Sequence, residues 1–124
     1  MKPPPPGPPR IDDLAHSIGE WANFCAGLGA GYRFDLDNWL NDVDLRQIVA
    51  EGLPMFGADE LGPHGVALAE ADRAFLLGTR EHRVCLWGSR TARREKWTAT
   101  RNWWYFRAPR RADDEFEREL ARVK

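Results

Sequence analysis

The residues of this chain that could do chemistry are few and poorly spaced for it. Its histidines are His16, His64 and His82, and its cysteines are Cys25 and Cys85. No pair of histidines has the His-Glu-x-x-His spacing that sets two imidazoles on one helix face around zinc. His82 and Cys85 form a His-x-x-Cys pair, but zinc takes four nitrogen and sulfur ligands, or three and a water. No metal or other cofactor is therefore expected. Cys85 lies in the apolar run Val84-Cys85-Leu86-Trp87, where a thiol acts as a small buried hydrophobe and not as an activated nucleophile. Ser17 and Ser89 lack a Gly-x-Ser-x-Gly elbow. Gly27, Gly29 and Gly31 follow a helical pattern and have no Lys-Ser/Thr behind them, so they read as a helix terminator and not as a phosphate loop. Nothing here names a catalytic residue.

Two clusters remain. Asp35, Asp37, Asp42 and Asp44 are spaced somewhat like a calcium loop, but Trp39 fills the third ligand slot and no mid-loop glycine follows. The reading is an acidic helix face open to a basic partner. The second cluster is the stretch from Glu81 to Arg111, which holds four of the six tryptophans, Trp87, Trp97, Trp103 and Trp104. Arg90, Arg93, Arg94, Trp103, Tyr105 and Arg107 are its candidate binding residues. Arginines there can neutralise phosphates, and exposed rings can stack bases for roughly 1–3 kcal/mol each. Trp and Arg are equally the residue types that carry protein–protein binding energy.

The charge is divided in the same way. Asp12 to Asp72 has 12 acids against 2 basic residues, a net of −10, and Arg80 to Arg111 has 10 basic residues against 2 acids, a net of +8. The total is −1, which is not the strongly basic balance of a dedicated nucleic-acid binder. Mixed charge is the normal surface of a small domain, so the two blocks are expected to interleave on folding. The apolar fraction of 43% and charged fraction of 30% are globular values. No leader pattern and no run of about 18 apolar residues is present. A cytoplasmic protein with reduced thiols and no membrane partner is the expectation.

The elements that must position these residues follow from periodicity. Lys2 to Arg10 (KPPPPGPPR) is proline-rich, and proline fixes φ and has no N–H, so residues 1–10 read as a polyproline II arm. Residues 11–124 read as one domain. Ile11, Leu14, Ala15, Ile18, Trp21, Ala22 and Cys25 recur at helical spacing. A second helix from about Leu36 to Glu51 would be capped by Asp35, with Leu36, Trp39, Leu40, Val43, the Arg46 stem and Ile48 inward. Asp59 and Glu60 suggest a helical turn before a third helix, Val66 to Gly78, with Leu68, Ala71, Phe75 and Leu76 or Leu77 inward. Arg83–Trp87 and Asn102–Phe106 read as two antiparallel strands, and a last helix would start near Asp113 with Phe116, Leu120 and Val123 inward.

The fold expected is α+β: three N-terminal helices packed on a small antiparallel aromatic sheet, with a C-terminal helix. In type, though without a motif match, the chain is similar to small bacterial immunity or inhibitor proteins, which are catalytically bare and helix-rich with an acidic face. The leading expectation is a non-catalytic protein-binding module that uses the acidic face or the Trp/Arg-rich sheet, with a basic protein or a second copy of itself as partner. Single-stranded nucleic acid or RNA bound through residues 83–111 is the alternative. A small enzyme with an unidentified site comes third.

Overall fold

The computed structural model describes residues 10–124. The proline-rich arm lies, but for Arg10, outside the described residues. The architecture is α+β: three N-terminal helices, a two-stranded antiparallel sheet and a C-terminal helix, with one short helix inserted between the strands.

Helix α1 (Ile11–Ala26) buries Leu14, Ile18, Trp21 and Cys25, the stripe that its spacing dictates. Helix α2 (Leu36–Gly52) starts where the Asp35 carboxylate accepts the Asn38 backbone N–H at 2.9 Å. It buries Leu36, Trp39, Leu40, Val43, Arg46 and Val49. Ile48, expected inward, is 53% exposed, because Val49 takes the inner position one residue on. Helix α3 (Ala58–Gly78) joins the expected turn and the expected helix into one, kinked at Gly62, whose φ is +44°, just before Pro63. Leu68, Ala71 and Phe75 point inward, while Leu76 and Leu77 are both exposed. Its last residue, Gly78, lies against Leu28, where a Cβ would come within 2.7 Å of the Leu28 Cβ.

The sheet forms, but not from the expected strands and not from aromatic residues. Strand β1 (Thr79–Glu81) pairs with β2 (Arg107–Pro109) in the register Thr79–Pro109, Arg80–Ala108, Glu81–Arg107. Arg83–Trp87 is irregular, tied back by His82 N–H to Phe106 O and Leu86 N–H to Tyr105 O, both 2.8 Å. Trp103–Phe106 winds into a 3-10 turn. Asn102 sets that turn up: its carbonyl accepts the Tyr105 N–H and its side chain bridges the Thr98 N–H and Gln47. A strand would have sent four consecutive large rings alternately to two faces. The turn instead buries Trp104 and Tyr105 and leaves Trp103 and Phe106 half-buried.

Helix α4 (Ser89–Glu95) precedes this turn and ends at Lys96, which adopts a left-handed conformation. Helix α5 (Asp114–Ala121) closes the chain, burying Phe116 and Leu120. The Arg80 guanidinium donates to both Glu117 carboxylate oxygens at 2.8 Å and so ties the sheet to α5.

The centre of the core is an aromatic cluster. Trp39 stacks on Phe75 at 5.9 Å and meets Tyr32 and Phe116 edge-on. One ion pair runs through the wall of this cluster. Arg46 Nε and Nη2 donate to the two Asp72 oxygens at 2.9 and 3.1 Å, and Trp21 Nε1 donates to Asp72 at 2.9 Å. The Arg46 guanidinium also faces the rings of Trp103 and Trp104 at 5.4 and 4.9 Å. Helices α1, α2, α3 and the 3-10 turn thus meet at one buried charge pair.

Candidate functional site

The four aspartates do not form one face. Successive helical residues turn by about 100°, so Asp42 and Asp44 stand about 200° apart. They flank the buried stripe of α2 from opposite sides, and each is engaged by a tyrosine. Tyr32 donates its hydroxyl to Asp42 at 2.7 Å, with Asn38 Nδ2 donating to both. Tyr105 donates to Asp44 at 2.6 Å. Burial raises the Asp42 carboxyl above its usual range, opposed by the Tyr32 hydrogen bond. Asp35 is the helix cap, and only Asp37 is left as an exposed, uncommitted acid. Three of the four aspartates thus make hydrogen bonds within the fold.

The basic-aromatic residues divide likewise. Tyr105 is 1% exposed, and burial and then the Asp44 carboxylate beside it push its phenol well above the usual tyrosine range. Arg107 donates to the Thr79 hydroxyl at 2.7 Å and to the Thr79 and Leu76 carbonyls; burial lowers its pKa. Both are engaged within the fold. Trp103 is half-buried against Phe75 and Arg46. Arg90, Arg93 and Arg94 are exposed on and beside α4. The acidic and basic blocks do not neutralise each other: among the described residues no ion pair joins residues 12–72 to residues 80–111. Uncharged groups join them instead, through the Tyr105 hydroxyl on Asp44 and the Asn102 amide on Gln47.

That junction leaves a cleft. Between α2 and α4 lies a mostly apolar depression of about 410 Å³, with Ile48 on one wall and Trp87 and Trp97 among its rings. Trp97 is stacked on Tyr105 at 4.2 Å and 28°, so its ring is held by a phenol that Asp44 holds in turn. Trp87 is 37% exposed and sits in the irregular segment that Leu86 N–H anchors to the Tyr105 carbonyl. Arg94 and Glu95, paired at 3.4 Å, stand at the edge. Among the described residues neither the Trp87 nor the Trp97 indole N–H has a hydrogen-bond acceptor in the protein.

Of the expected binding residues, the cleft gathers Asp44, Arg94 and Tyr105. It leaves Arg90, Arg93, Trp103 and Arg107 outside. Trp87, Trp97 and Ile48 were not singled out as a group. The available signal was Ile48, an apolar residue one step off the inner stripe of α2. A second depression of about 510 Å³ lies against Trp103, Phe106, Arg83 and Arg107, but Arg107 is committed inward. Among the described residues no three His, Cys, Asp or Glu side chains gather as a metal site requires, and no helix is long and apolar enough to cross a membrane. Compared with known protein families, curated proteins and solved structures, the chain matches none.

Proposed function

We propose that this chain is a protein-binding module that takes an extended polypeptide segment in the cleft between α2 and α4. One observation carries the reading: Trp87 and Trp97 border an open, mostly apolar depression while their indole N–H groups have no partner among the described residues. Ring faces supply apolar contact at low entropic cost, and the N–H groups supply donors for backbone carbonyls. An extended segment presents such carbonyls free. The Tyr105–Asp44 bond and the Asn102–Gln47 bond hold the cleft before any ligand arrives, which lowers the cost of binding.

Nucleic acid is the competing ligand, with Arg90, Arg93 and Arg94 to meet phosphates. It has fewer free ring faces than the sequence suggested, since Trp104 and Tyr105 are buried. The test is a titration of the ¹⁵N-labelled protein, read at the tryptophan indole signals. A proline-rich nonapeptide, a Gly/Ser peptide of equal length and a thymidine decamer are the probes. The reading expects the proline-rich peptide to shift Trp87 and Trp97 selectively, and Trp87→Ala to weaken it at least tenfold. Shifts produced only by the decamer, weakening steeply with salt, would transfer the site to nucleic acid. Silence at both indoles up to millimolar peptide removes the proposal.

A further inference from the structure

We infer that Lys96 makes the Trp87–Trp97 cleft selective for an extended segment that carries an acidic side chain. The inference rests on the cleft being a peptide site, and it adds the chemistry of the segment.

The backbone is the first argument. Helix α4 ends in two nested hydrogen bonds, Trp97 N–H to Ala92 O at 2.9 Å and Lys96 N–H to Arg93 O at 3.3 Å. This terminator needs a left-handed residue just before its exit, and glycine usually supplies it. Here Lys96 does, at φ +62° and ψ +34°, and it is the one non-glycine with positive φ among the described residues. A Cβ in that conformation crowds the following carbonyl oxygen, so a lysine holds the slot at a cost in stability. Arg101 Nη2 donates to the Lys96 carbonyl at 2.9 Å and helps to fix the turn. The turn delivers Trp97 to the Tyr105 ring, on which it stacks. Glycine would make the same turn without the crowding; what it lacks is the ammonium. Strain of this kind is typical of ligand-binding positions.

Position is the second argument. Lys96 and Arg101 line a polar depression of about 310 Å³ together with Glu51. Gln47, Glu95 and Trp97 border both this depression and the aromatic cleft, which places Lys96 beside the cleft. An extended segment advances about 3.3 Å per residue with side chains alternating. A residue seated on the Trp97 ring is thus followed within one or two positions by one that reaches the ammonium. Both depressions are open, so the segment runs on past Lys96, and the carboxylate that fits is a side chain and not a chain end.

Charge is the third. Each acid of the two depressions already has a donor within the fold: Asp44 has the Tyr105 hydroxyl at 2.6 Å, Glu51 has Gln47 Nε2 at 3.1 Å, and Glu95 has Arg94 Nε at 3.4 Å. The Lys96 ammonium has neither a hydrogen-bond acceptor nor an ion-pair partner among the described residues, and Arg101 pairs with no acid. The cations are the groups left open.

The experiment titrates the ¹⁵N-labelled full chain with two amidated proline-rich nonapeptides that differ only in a Glu or a Gln. The Trp87 and Trp97 indole signals report binding. The inference expects the Glu peptide to bind about threefold tighter at low salt, the scale of an exposed ion pair, with the preference shrinking as salt rises. Lys96→Arg should keep the preference; Lys96→Gly and Lys96→Ala should both abolish it. Only Lys96→Gly should raise the urea midpoint, since Lys96→Ala keeps the Cβ. A midpoint lowered by Lys96→Gly would mean that the lysine serves the helix end, and would overturn the inference. So would a preference that survives in Lys96→Gly. Weakening of a thymidine decamer by Lys96→Gly, with peptide binding untouched, would assign the ammonium to phosphate and overturn it also. If the two peptides shift the indoles equally well, acidic selectivity is overturned and the peptide site stands. Silence with both peptides overturns the two readings together.

Discussion

Replacing Asp72 with Asn should cost about 3 kcal/mol of stability, at the lower end of the range for breaking a buried ion pair. The Arg46 and Asp72 side chains are only 10% and 20% exposed. At about 3 Å and an effective dielectric near 20, the pair attracts by roughly 5 kcal/mol, most of which offsets desolvation. The pair contributes little net. Losing one member is different, because Arg46 keeps its charge against the Trp103 and Trp104 rings with little access to water. Its Nη1 already has no partner among the described residues. An Asn would also turn an N–H₂ group toward either the guanidinium or the Trp21 indole, both donors. Urea unfolding followed by fluorescence measures the loss, which corresponds to roughly 12 °C in melting temperature at about 4 °C per kcal/mol. The decisive control is Arg46→Met with Asp72→Leu. It removes both charges and orphans only the Trp21 N–H, so it should lie within about 1–2 kcal/mol of the parent. A single variant losing less than about 1 kcal/mol, or a double variant worse than the single, would refute the argument that uncompensated charge is what matters.

Two other outcomes follow from the packing. Burial holds the Tyr32 and Tyr105 phenols well above their ordinary 10.0, so the folded state keeps protons that the unfolded chain sheds. Their contribution is intact below about pH 10 and falls as pH rises toward the folded values, by about 1.4 kcal/mol per unit for each tyrosine. Urea midpoints between pH 9 and 11.5 should therefore drop steeply, and Tyr32→Phe with Tyr105→Phe should flatten the slope while lowering the plateau by about 1 kcal/mol per lost hydrogen bond. Cys25 and Cys85, raised by the same burial, add a decline that starts nearer their ordinary 9.0 and that this double variant retains. At the α3 end, Gly78→Ala should destabilise by about 1–3 kcal/mol despite better helix propensity, since its Cβ would lie 2.7 Å from the Leu28 Cβ. Adding Leu28→Ala should cost less than the two changes summed, and strict additivity in thermal melts would discount the clash.

What could be read from the sequence was whatever depends on neighbours three or four residues away. The inner stripe of α1, the Asp35 cap and the Leu68–Ala71–Phe75 face of α3 are local consequences of helical spacing. The aromatic strands were a misreading of the same kind of evidence. Asn102–Phe106 has strand-like composition, but Asn102 bonds to Gln47 on α2, and Tyr105 reaches Asp44 there. Those contacts span 55 and 61 residues and pull the run into a turn. The sheet then forms beside it, from the less suggestive Thr79–Glu81 and Arg107–Pro109.

The candidate site failed to appear in the sequence for the same reason. Asp42 and Asp44 look like one acidic patch in a string of letters, yet helical rotation sends them to opposite flanks, where two tyrosines meet them. Once Asp44 is committed to Tyr105, Trp97 has a floor to stack on and Trp87 has an anchored segment to stand in. The cleft is thus a by-product of how the acidic and basic halves join. They meet through hydroxyl and amide groups and not through ion pairs, so Arg90 and Arg93 of α4, unlike Arg94, have no ion-pair partner among the described residues. A partner that carries both an apolar extended segment and acidic flanks would use the whole of that surface. Replacing Arg90 and Arg93 with Ala should then slow its association at low salt and leave the indole shifts of the bound cleft unchanged.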